Sequence, residues 1–403
     1  MLRLIRTRGA KERKPALKKN STEKKGKKRT KEIVDQKLLT LMKAHQSKQA
    51  VHAKLTIGLD LGDRVSCYCV LDEEGEVIGR SQVVTERQPL EVVFGQFPPS
   101  LVALEVGTHS PWISRLLEEL GHEVIVANAR QVKLISQGTR KNDRRDAELL
   151  ARLARADRKL LAPVRHRGEA AQTDLLGVRV RAQLVELRTQ AVNAARGLVK
   201  SFGERLAHCD ADSLSRKHAQ HLQPAIRQHI EQLLRMVEEL TREIERCDRQ
   251  LKQVSAERYG AETAQLQQVQ GVGPITALTF VLTLDDPERF EHSRDVGCFV
   301  GLRPKSRQSG GREPEMRISK EGDPYLRKLL VQCSQYILSR RGPDTDLKRW
   351  GQQIADKGKK KAKRRAVVAV ARKLAVLLHR LWVTGEGYEP QRHRTARPAA
   401  RAA

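Results

Sequence analysis

Two carboxylates three residues apart, Asp143 and Asp146, lie in the stretch Thr139–Arg152, which is predicted to be helical with Asn142 as its N-cap. Residues three apart share one helix face, so both carboxylates can point at the same spot. Adjacent carboxylates repel each other, and a hard cation such as Mg²⁺ would relieve that repulsion. The simpler interpretation of these residues is an acidic first turn on a solvated helix.

The strands predicted before this helix would bring two further carboxylates to it. Leu55–Gly62 is a predicted strand that carries Asp60 near its end, and Leu101–Val106 is another that carries Glu105. The predicted order is three hairpin-type strands, then strand, helix, strand and helix, which is the layout of an RNase H-like α/β fold. The first and fourth strands of such a fold are neighbours, so Asp60 and Glu105 would lie side by side and face the helix with the two aspartates. The remaining predicted strands are Val65–Leu71, Val77–Val84 and Val124–Ala127.

The order Asp60, Glu105, Asp143 and Asp146 on this layout resembles the Holliday-junction resolvase (RuvC-like) domain. With Lys141-Asn142 directly before the aspartate pair, the pattern is similar to the DEDD class of insertion-sequence transposases. A buried carboxylate cluster without a metal would be very costly, so a purely structural role is a poor explanation once the fold is granted.

The charge of the chain points to polyanionic partners. Its 403 residues contain 77 Lys and Arg against 48 Asp and Glu, a net charge of +29, which favours nucleic acid first and an acidic membrane surface second. Aromatic residues make up 3%, so the phosphate backbone is a better target than stacked bases. No apolar run approaches the roughly 20 residues that span a bilayer. The six scattered cysteines show no zinc spacing and predict a reducing compartment, and we expect a cytoplasmic, nucleoid-associated protein.

Changes in composition along the chain predict five regions. The first 32 residues contain fourteen Lys or Arg and three Glu with almost no hydrophobic pattern, which favours nucleic-acid contact over a merely solubilising tail. The regions are a basic flexible arm (1–53), a RuvC-like DEDD domain (54–157), a helical coiled-coil region (158–262), a mostly helical C-terminal domain with a helix-hairpin-helix and a serine loop (263–390), and a disordered tail (391–403).

Two long helices are predicted in the middle region, at about 170–201 and 214–257, with Pro224 breaking the second near its start. Beyond Pro224, apolar residues alternate at spacings of four and three, which is typical of a coiled coil. A weaker stripe follows the first helix. We expect these stripes to pack both within one chain and between chains, in a dimer or tetramer. The stripes are Ile226, Ile230, Leu233, Val237, Leu240, Ile244, Cys247, Leu251 and Val254, and Val180, Leu184, Leu187, Ala191, Ala194 and Leu198.

Two glycines, Gly271 and Gly273, interrupt helical runs in a pattern typical of a helix-hairpin-helix. Such glycines let backbone N–H groups approach a DNA phosphate where the next helix starts. An ordinary glycine turn between helices is the alternative. Farther on, a run of basic residues at Lys357–Arg365 leads into an amphipathic helix, which suits phosphate contact through residues such as Lys359, Lys360, Lys361 and Arg364.

The segment Gly301–Arg327 is predicted to be a long polar loop with a short hairpin, and Ser309 stands in it before two glycines. Glycines would let the backbone approach a phosphate, and Arg307, Arg312, Arg317 and Lys320 would neutralise charge on it. A serine here is a possible nucleophile on phosphorus. From these residues alone, a solvent-facing serine in a phosphate-binding loop is the simpler interpretation.

The motif GLxP…SGG…RISKxGDxYLRxLL in this segment resembles the C-terminal domain of the bridge-RNA-guided insertion-sequence recombinases. Together the two halves of the resemblance cover most of residues 54–382. The resemblance implies that a bridge RNA pairs with donor and target DNA, and that the four carboxylates bind Mg²⁺ and activate a serine that attacks the DNA. The catalytic serine of the family falls on Ser309, although Ser306 stays open because Gln308 stands where many relatives have Ser or Thr.

Two other functions compete with an RNA-guided recombinase. A metal-dependent resolvase or nuclease would hydrolyse DNA at the carboxylates, with Ser309 only structural, and would form no protein–DNA adduct. A non-enzymatic architectural binder of RNA or DNA would carry Asp143 and Asp146 as ordinary surface charges. Changing Asp60 would separate that binder from an enzyme, because only an enzyme would lose activity while it keeps binding.

Overall fold

A computed structural model describes residues 55–129, 143–305, 316–358 and 360–392, with the backbone alone for Asp143 and Arg144. The chain divides into two units between His166 and Arg167. Several predictions concern residues outside the described part. These are the basic arm, the side chain of Asp143, the loop residues Ser306, Arg307, Ser309 and Arg312, Lys359, and the tail after Arg392.

Alternating apolar residues build one five-stranded sheet in the first unit, in the order β3-β2-β1-β4-β5. β1 pairs antiparallel with β2 and parallel with β4, and β4 in turn pairs parallel with β5. The first and fourth strands are therefore neighbours, which confirms the predicted arrangement. The strands are β1 (Thr56–Asp60), β2 (Val65–Leu71), β3 (Val77–Val84), β4 (Leu101–Glu105) and β5 (Glu123–Ala127).

Helices cover both faces of this sheet. Ile57 and Leu59 of β1 are fully buried on the face that packs against α1 (Arg87–Phe94) and α2 (Ser110–Glu119). The opposite face packs against α3 (Asp143–Ala156). The sequence did not predict α1, which is short and carries a proline in its first turn. Successive side chains of a strand point to opposite faces of the sheet, so each β1 side chain faces either α1 and α2 or α3.

An antiparallel helical hairpin of α4 (Glu169–Lys200) and α5 (Pro224–Arg258) opens the second unit. The Arg181 Nε donates to Asp248 Oδ1 at 2.8 Å, and farther along the pair Arg258 Nη1 donates to Asp174 Oδ1 at 2.8 Å. Burial and the hydrogen bond to Asp174 raise the pKa of Tyr259 to about 12. The second helix begins at the proline that was expected to break it.

The two predicted apolar stripes behave differently in this hairpin. The α5 stripe faces inward, since all nine of its residues are buried or half-buried. In α4, however, Val180, Leu187 and Leu198 are exposed, and other residues pack on α5. Packing within one chain is thus confirmed for α5, whereas the α4 stripe is covered only in part, since Ala191 is buried and Leu184 is half-buried. The buried α4 residues are Ala171, Asp174, Leu175, Val178, Ala191, Val192, Ala195 and Val199.

The rest of the second unit is helical and has its own core. The entirely buried middle of α7 packs against α9 and α11, and the apolar side predicted after the basic run supplies Val370, Leu374 and Leu378. Among the described helices, none is long and apolar enough to cross a membrane. The helices are α6 (Gly260–Gln267), α7 (Pro274–Leu284), α8 (Ser293–Phe299), α9 (Pro324–Leu338), α10 (Asp346–Asp356) and α11 (Lys360–Thr384).

Candidate active site and nucleic-acid interface

Two of the predicted carboxylates end neighbouring parallel strands. The parallel register pairs Leu59 of β1 with Leu104 of β4, so one further residue brings Asp60 level with Glu105. Both side chains are half-buried. Gly58 and Ala103 face α3. Residues two apart in a strand point to the same side, so Asp60 and Glu105 also lie on the face of the sheet that α3 covers. The sequence prediction of side-by-side carboxylates therefore agrees with the strand register.

The direction of α3 brings its acidic end to the same edge of the sheet. Near its C-terminus, Arg152 Nη1 donates to the Gly75 carbonyl at 3.3 Å and Arg155 Nη1 to the Asp72 carbonyl at 3.4 Å. Those carbonyls belong to the β2–β3 turn, beside the N-terminal end of β1. The helix therefore runs opposite to β1, and its first turn, with the backbone of Asp143 and the half-buried Asp146, lies toward the carboxylate end of the strand.

A glycine allows α3 to approach the sheet this closely. A Cβ built at Gly58 would lie 1.9 Å from the Ala147 carbonyl oxygen and 2.6 Å from the Ala151 nitrogen, far inside contact distance. Gly58 is two residues before Asp60, and Ala147 directly follows Asp146. The contact therefore sets the spacing between the carboxylate-bearing strand and helix.

Charged side chains hold the outer side of α3. Glu148 accepts hydrogen bonds from Arg80 on β3 and from Arg152 Nε, the latter at 2.9 Å. Burial alone would raise the pKa of Glu148, but the hydrogen bonds from Arg152 and Arg80 lower it below its usual value. Glu148 therefore stays ionised and ties the helix to the strand hairpin rather than joining the three carboxylates of the sheet edge.

The carboxylates at this edge fit a divalent cation in their chemistry, because Mg²⁺ prefers oxygen ligands. Within the described residues, however, no three His, Cys, Asp or Glu side chains lie close enough to one another to hold a metal ion. Asp60, Glu105 and Asp146 thus share an edge and a face but are not drawn together at coordination distance, and the side chain of Asp143 lies outside the described part.

His109 lies at the same edge and was missed by the sequence analysis. Its Nε2 is 3.5 Å from Asp63 Oδ1 in the loop after β1, and its Nδ1 accepts a hydrogen bond from Trp112 Nε1 at 3.2 Å. That bond leaves the proton on Nε2, so the ring presents a donor at the strand ends. Its position four residues after Glu105 was the only signal in the sequence.

The predicted serine loop starts and ends on a short antiparallel stem, here defined as residues 301–305 with 316–322. Pro304 and Ile318 form its bridge, and the Lys305 nitrogen donates to the Arg317 carbonyl at 3.0 Å. Arg317 and Lys320 are exposed on this stem. An antiparallel bridge thus lies where a short hairpin was predicted, whereas Ser309, Arg307 and Arg312 lie outside the described residues.

The two glycines of the helix-hairpin-helix pattern have different surroundings. Gly271, at φ +99°, packs so closely on α9 that a Cβ would lie 2.8 Å from the Tyr336 ring. Gly273 is exposed, and a Cβ there would meet nothing within 4 Å. Packing on Tyr336 thus accounts for Gly271, and Gly273 alone faces open space at the start of α7.

The basic run at the start of α11 is exposed and short of counter-charges. Lys360, Lys361 and Arg364 are all exposed, and within the described part of the chain neither Lys361 nor Arg364 takes part in an ion pair. Arginines on α5 contrast with them, since Arg242 and Arg246 each pair with a glutamate of the same helix. The start of α11 is therefore the stronger attractor for phosphate.

Substituting Gly58 should damage both stability and the site. We expect Gly58→Ala to lower the free energy of unfolding by about 3 kcal/mol, because overpacking against a backbone forces α3 away from β1. Urea denaturation would measure this loss, and DNA strand cleavage should fall with it. The matched control is Gly107→Ala, since a Cβ at Gly107 meets nothing within 4 Å. Equal stability of the two variants would contradict the close packing of α3 on β1.

Two models of transposase families match separate parts of the chain. Residues 57–203 match the transposase family DEDD_Tnp_IS110, and residues 263–349 match the family described as Transposase IS116/IS110/IS902. The first match contains the carboxylates of the sheet edge, and the second contains the stem and Ser309.

Several transposases are similar to the chain over most of their length. A probable family 20 transposase of Pseudomonas aeruginosa is 31% identical over 342 residues, which cover 83% of this chain and 98% of that one. The transposase for insertion sequence element IS1328 of Yersinia enterocolitica is 30% identical, over 70% of this chain and 84% of that one. The transposase for IS1111A of Coxiella burnetii is 26% identical, over 82% and 90%.

Proposed function

The chain belongs to the IS110/IS116 family of transposases, and we propose that it recombines DNA under the direction of a structured RNA. Members of the family catalyse DNA strand transfer, so the chain is an enzyme that acts on DNA. Members with the DEDD carboxylates typically use a divalent metal. The single observation that carries the proposed DNA chemistry is that Asp60, Glu105 and the acidic end of α3 share one edge and one face of an RNase H-like sheet.

In the proposed reaction, Asp60, Glu105, Asp143 and Asp146 would hold Mg²⁺, and Ser309 is the nucleophile. Bound Mg²⁺ supplies Lewis-acid stabilisation of the negative charge on a phosphoryl group. The Ser309 hydroxyl forms an Oγ–P bond while the bond from that phosphorus to the departing deoxyribose oxygen breaks, and the proton given up by the serine is balanced by one that the departing oxygen takes up to leave as a hydroxyl. The covalent phosphoserine conserves the energy of the phosphodiester, so a second strand end can later displace the serine without hydrolysis.

Sequence choice in this proposal belongs to the RNA. A bridge RNA pairs with both donor and target DNA, and the protein binds shape and phosphate backbone, by analogy with other guided systems. The aromatic content of 3% and the net charge of +29 support backbone binding over base stacking. The proposed contacts are Gly273 at the start of α7 with Gly271 supporting its turn, Arg307, Arg312, Arg317 and Lys320 around the serine loop, and Lys359, Lys360, Lys361 and Arg364 at the start of α11.

We further propose that the enzyme works as a dimer or tetramer in the cytoplasm, in association with the nucleoid. The exposed α4 residues Val180, Leu187 and Leu198 repeat at helical spacing and support contact between chains, since such residues gain free energy by leaving water. The carboxylates and Ser309 are far apart in sequence, so a composite site between protomers is part of the proposal.

Reconstituted recombination tests the proposed function. The protein is purified from cells that carry its own element, and the RNA that co-purifies is sequenced. Donor and target plasmids are then incubated with the protein and this RNA in Mg²⁺, and the joined product is detected across its new junctions. Changing the target-pairing segment of the RNA should move insertion to the matching new site. Equal and equally placed joining after complete digestion of the RNA would contradict guidance.

The salt dependence of binding should separate the start of α11 from the arginines of α5. We expect Lys361→Gln with Arg364→Gln to reduce the slope of log K against log salt by about 0.9 for each lost contact with duplex phosphate. The matched control, Arg242→Gln with Arg246→Gln, also removes two exposed cations but should leave the slope nearly unchanged, because their charges are already paired. Fluorescence anisotropy at several salt concentrations measures both slopes. A larger change in the control would contradict this interface.

A further inference from the structure

The stem is a short structure to hold a loop that, in the proposed function, must place Ser309 for attack on DNA. Ten residues, 306–315, lie between its two sides, and the stem has one bridge pair, Pro304 with Ile318. Backbone hydrogen bonds flank the bridge, from the Lys305 nitrogen and from the Ser319 nitrogen, the latter to the Arg303 carbonyl at 2.8 Å. An isolated two-stranded hairpin is marginally stable in water. Something outside the stem must therefore fix its two sides.

At the end of the stem away from the loop, the backbones of the two sides pack closely against each other at two glycines. A Cβ at Gly301 would lie 2.0 Å from the Glu321 carbonyl oxygen, and a Cβ at Gly322 would lie 1.9 Å from the Phe299 carbonyl oxygen. Both glycines adopt left-handed backbone angles, φ +71° and +73°. The backbones on the two sides thus touch directly, and their carbonyl groups are crowded into a small space.

A guanidinium group from α9 binds carbonyl groups at this same end of the stem. Arg327 Nη1 donates to the Val300 carbonyl oxygen at 2.9 Å and to the Glu321 carbonyl oxygen at 2.8 Å. The first acceptor precedes the stem on one side, and the second belongs to its other side. Burial lowers the pKa of Arg327 from its usual value, partly offset by Asp323, yet a guanidinium group remains charged. A single nitrogen therefore joins the two sides.

The helix that carries Arg327 is itself fixed in place. Asp323 Oδ1 accepts from the Tyr325 and Leu326 nitrogens, both at 2.9 Å, and so caps the start of α9. Asp323 Oδ2 accepts from Arg179 Nη2 of α4 at 2.6 Å, and Leu326 is fully buried in the core of the unit. Arg327 thus transmits the position of a capped, core-packed helix to the stem.

We propose that Arg327 is a positioning residue for strand cleavage, which fixes the two ends of the loop that carries Ser309. The inference rests on the proposed function, in which Ser309 attacks DNA. Arg327 touches backbone carbonyl groups and has no contact with the reacting atoms in this proposal. Losing its two donors should let the stem shift, and a misplacement of about 1 Å in a reacting group can cost about 10²-fold in rate.

Two substitutions of Arg327 separate this role from general stability. Arg327→Met keeps most of the side-chain volume but removes the hydrogen-bond donors. Arg327→Lys keeps a positive charge and donors on a shorter side chain. The substrate is a nicked suicide duplex that carries the junction of the element's two ends, with the co-purified RNA present. The rate of covalent adduct formation at saturating DNA and the Kd for DNA are measured separately.

We expect Arg327→Met to slow adduct formation by about 10²-fold at saturating DNA, while the Kd changes less than about twofold. Arg327→Lys should recover part of the rate. The matched control is Arg258→Met, because Arg258 Nη1 also makes two side-chain hydrogen bonds, at 2.8 and 2.9 Å, but to Asp174 within the α4–α5 hairpin. The control should lose stability without a comparable loss of rate at saturating DNA.

A disulfide cross-link between the two sides of the stem tests whether Arg327 acts by holding them together. Pro304 and Ile318 face each other as the bridge pair that carries no hydrogen bonds of its own, a geometry in which two cysteines can be joined. In the background of Arg327→Met, Pro304→Cys with Ile318→Cys should restore much of the rate when oxidised and little when reduced. The same pair of substitutions in the presence of Arg327 controls for any effect of the cross-link itself.

The outcomes distinguish failure of the positioning role of Arg327 from failure of the proposed function. An adduct rate for Arg327→Met equal to that of the unaltered protein would overturn the positioning role and leave the proposed function intact. A loss of rate matched by Arg258→Met, or one that the oxidised cross-link does not relieve, would show that Arg327 acts only through folding and would also overturn the inference. Absence of any adduct from the unaltered protein while strands are cut would overturn the proposed function and this inference together.

Discussion

Asp60→Asn should abolish DNA strand cleavage while binding of RNA and DNA persists or strengthens. The substitution removes one anionic oxygen from the edge shared with Glu105 and Asp146, and electrostatic stabilisation at such sites is worth several kcal/mol. We therefore expect a loss of about 10³-fold or more in the single-turnover cleavage rate. Asp146→Asn should behave in the same way. Binding is expected to strengthen because each change also removes negative charge near the phosphates.

The control for these substitutions is Asp157→Asn in the same unit. Asp157 is exposed and caps the short helix after α3 by accepting from the Lys159 nitrogen at 2.8 Å, a role that asparagine fills equally well. Cleavage by this variant should equal that of the unaltered protein, and all three variants should show the same circular dichroism. Retained cleavage by Asp60→Asn in Mg²⁺ would contradict the assignment of the sheet edge as the catalytic site.

Ser309→Ala should eliminate covalent protein–DNA adducts and recombination together. Removing an enzyme nucleophile typically costs about 10⁴-fold or more, because the remaining groups cannot form the covalent intermediate. A serine hydroxyl is a poor nucleophile unless activated, so the adduct should also require Asp60 and Mg²⁺. Denaturing gels of the suicide-substrate reaction measure the adduct, and junction formation measures recombination.

Ser306→Ala is the matched control, since it removes a hydroxyl from the same loop and should retain most activity. Loss of the adduct in Ser306→Ala with its retention in Ser309→Ala would move the nucleophile to Ser306. Continued strand cutting by Ser309→Ala without any adduct in the unaltered protein would instead favour the metal-dependent resolvase, which hydrolyses DNA at the carboxylates.

The carboxylate edge could be predicted from the sequence because strand patterns fix both neighbours and faces. Asp60 and Glu105 each follow a short apolar run, and the parallel pairing of those runs brings the side chains level. The approach of α3 was harder to foresee, because it depends on the missing Cβ of Gly58 against a backbone far along the chain. Coordination distances depend on side-chain rotamers, which no spacing pattern encodes.

The helical region shows where periodicity alone reaches its limit. The α4 sequence carries two apolar stripes, and the heptad pattern selected Val180, Leu187 and Leu198, which are exposed, together with Ala191, which is buried. The residues that pack on α5, such as Val192 and Ala195, lie on the other stripe. Periodicity gives the direction of a stripe but not its partner. Partner choice depends on how both helices pack along their whole length, including ion pairs such as Arg181 with Asp248.

Long-range packing also decided the meaning of the glycines and of Arg327. Gly271 fits the pattern of a phosphate-binding turn, yet it is packed against Tyr336 on α9, which lies 65 residues later in the sequence. Arg327 appears in the motif as one more basic residue, whereas its guanidinium group binds two backbone carbonyl groups. Local sequence specifies residue types, and only the folded chain specifies which partner each one meets.

Peptide mapping of the covalent adduct would identify the residue that attacks the DNA. The unaltered protein, with its co-purified RNA and Mg²⁺, is trapped on the nicked suicide duplex, digested with protease and nuclease, and sequenced by tandem mass spectrometry. We expect a nucleotide attached through phosphate to Ser309, present in the unaltered protein and absent from Asp60→Asn. A nucleotide attached to Ser306 or to a tyrosine, or cut DNA with no modified peptide at all, would contradict it.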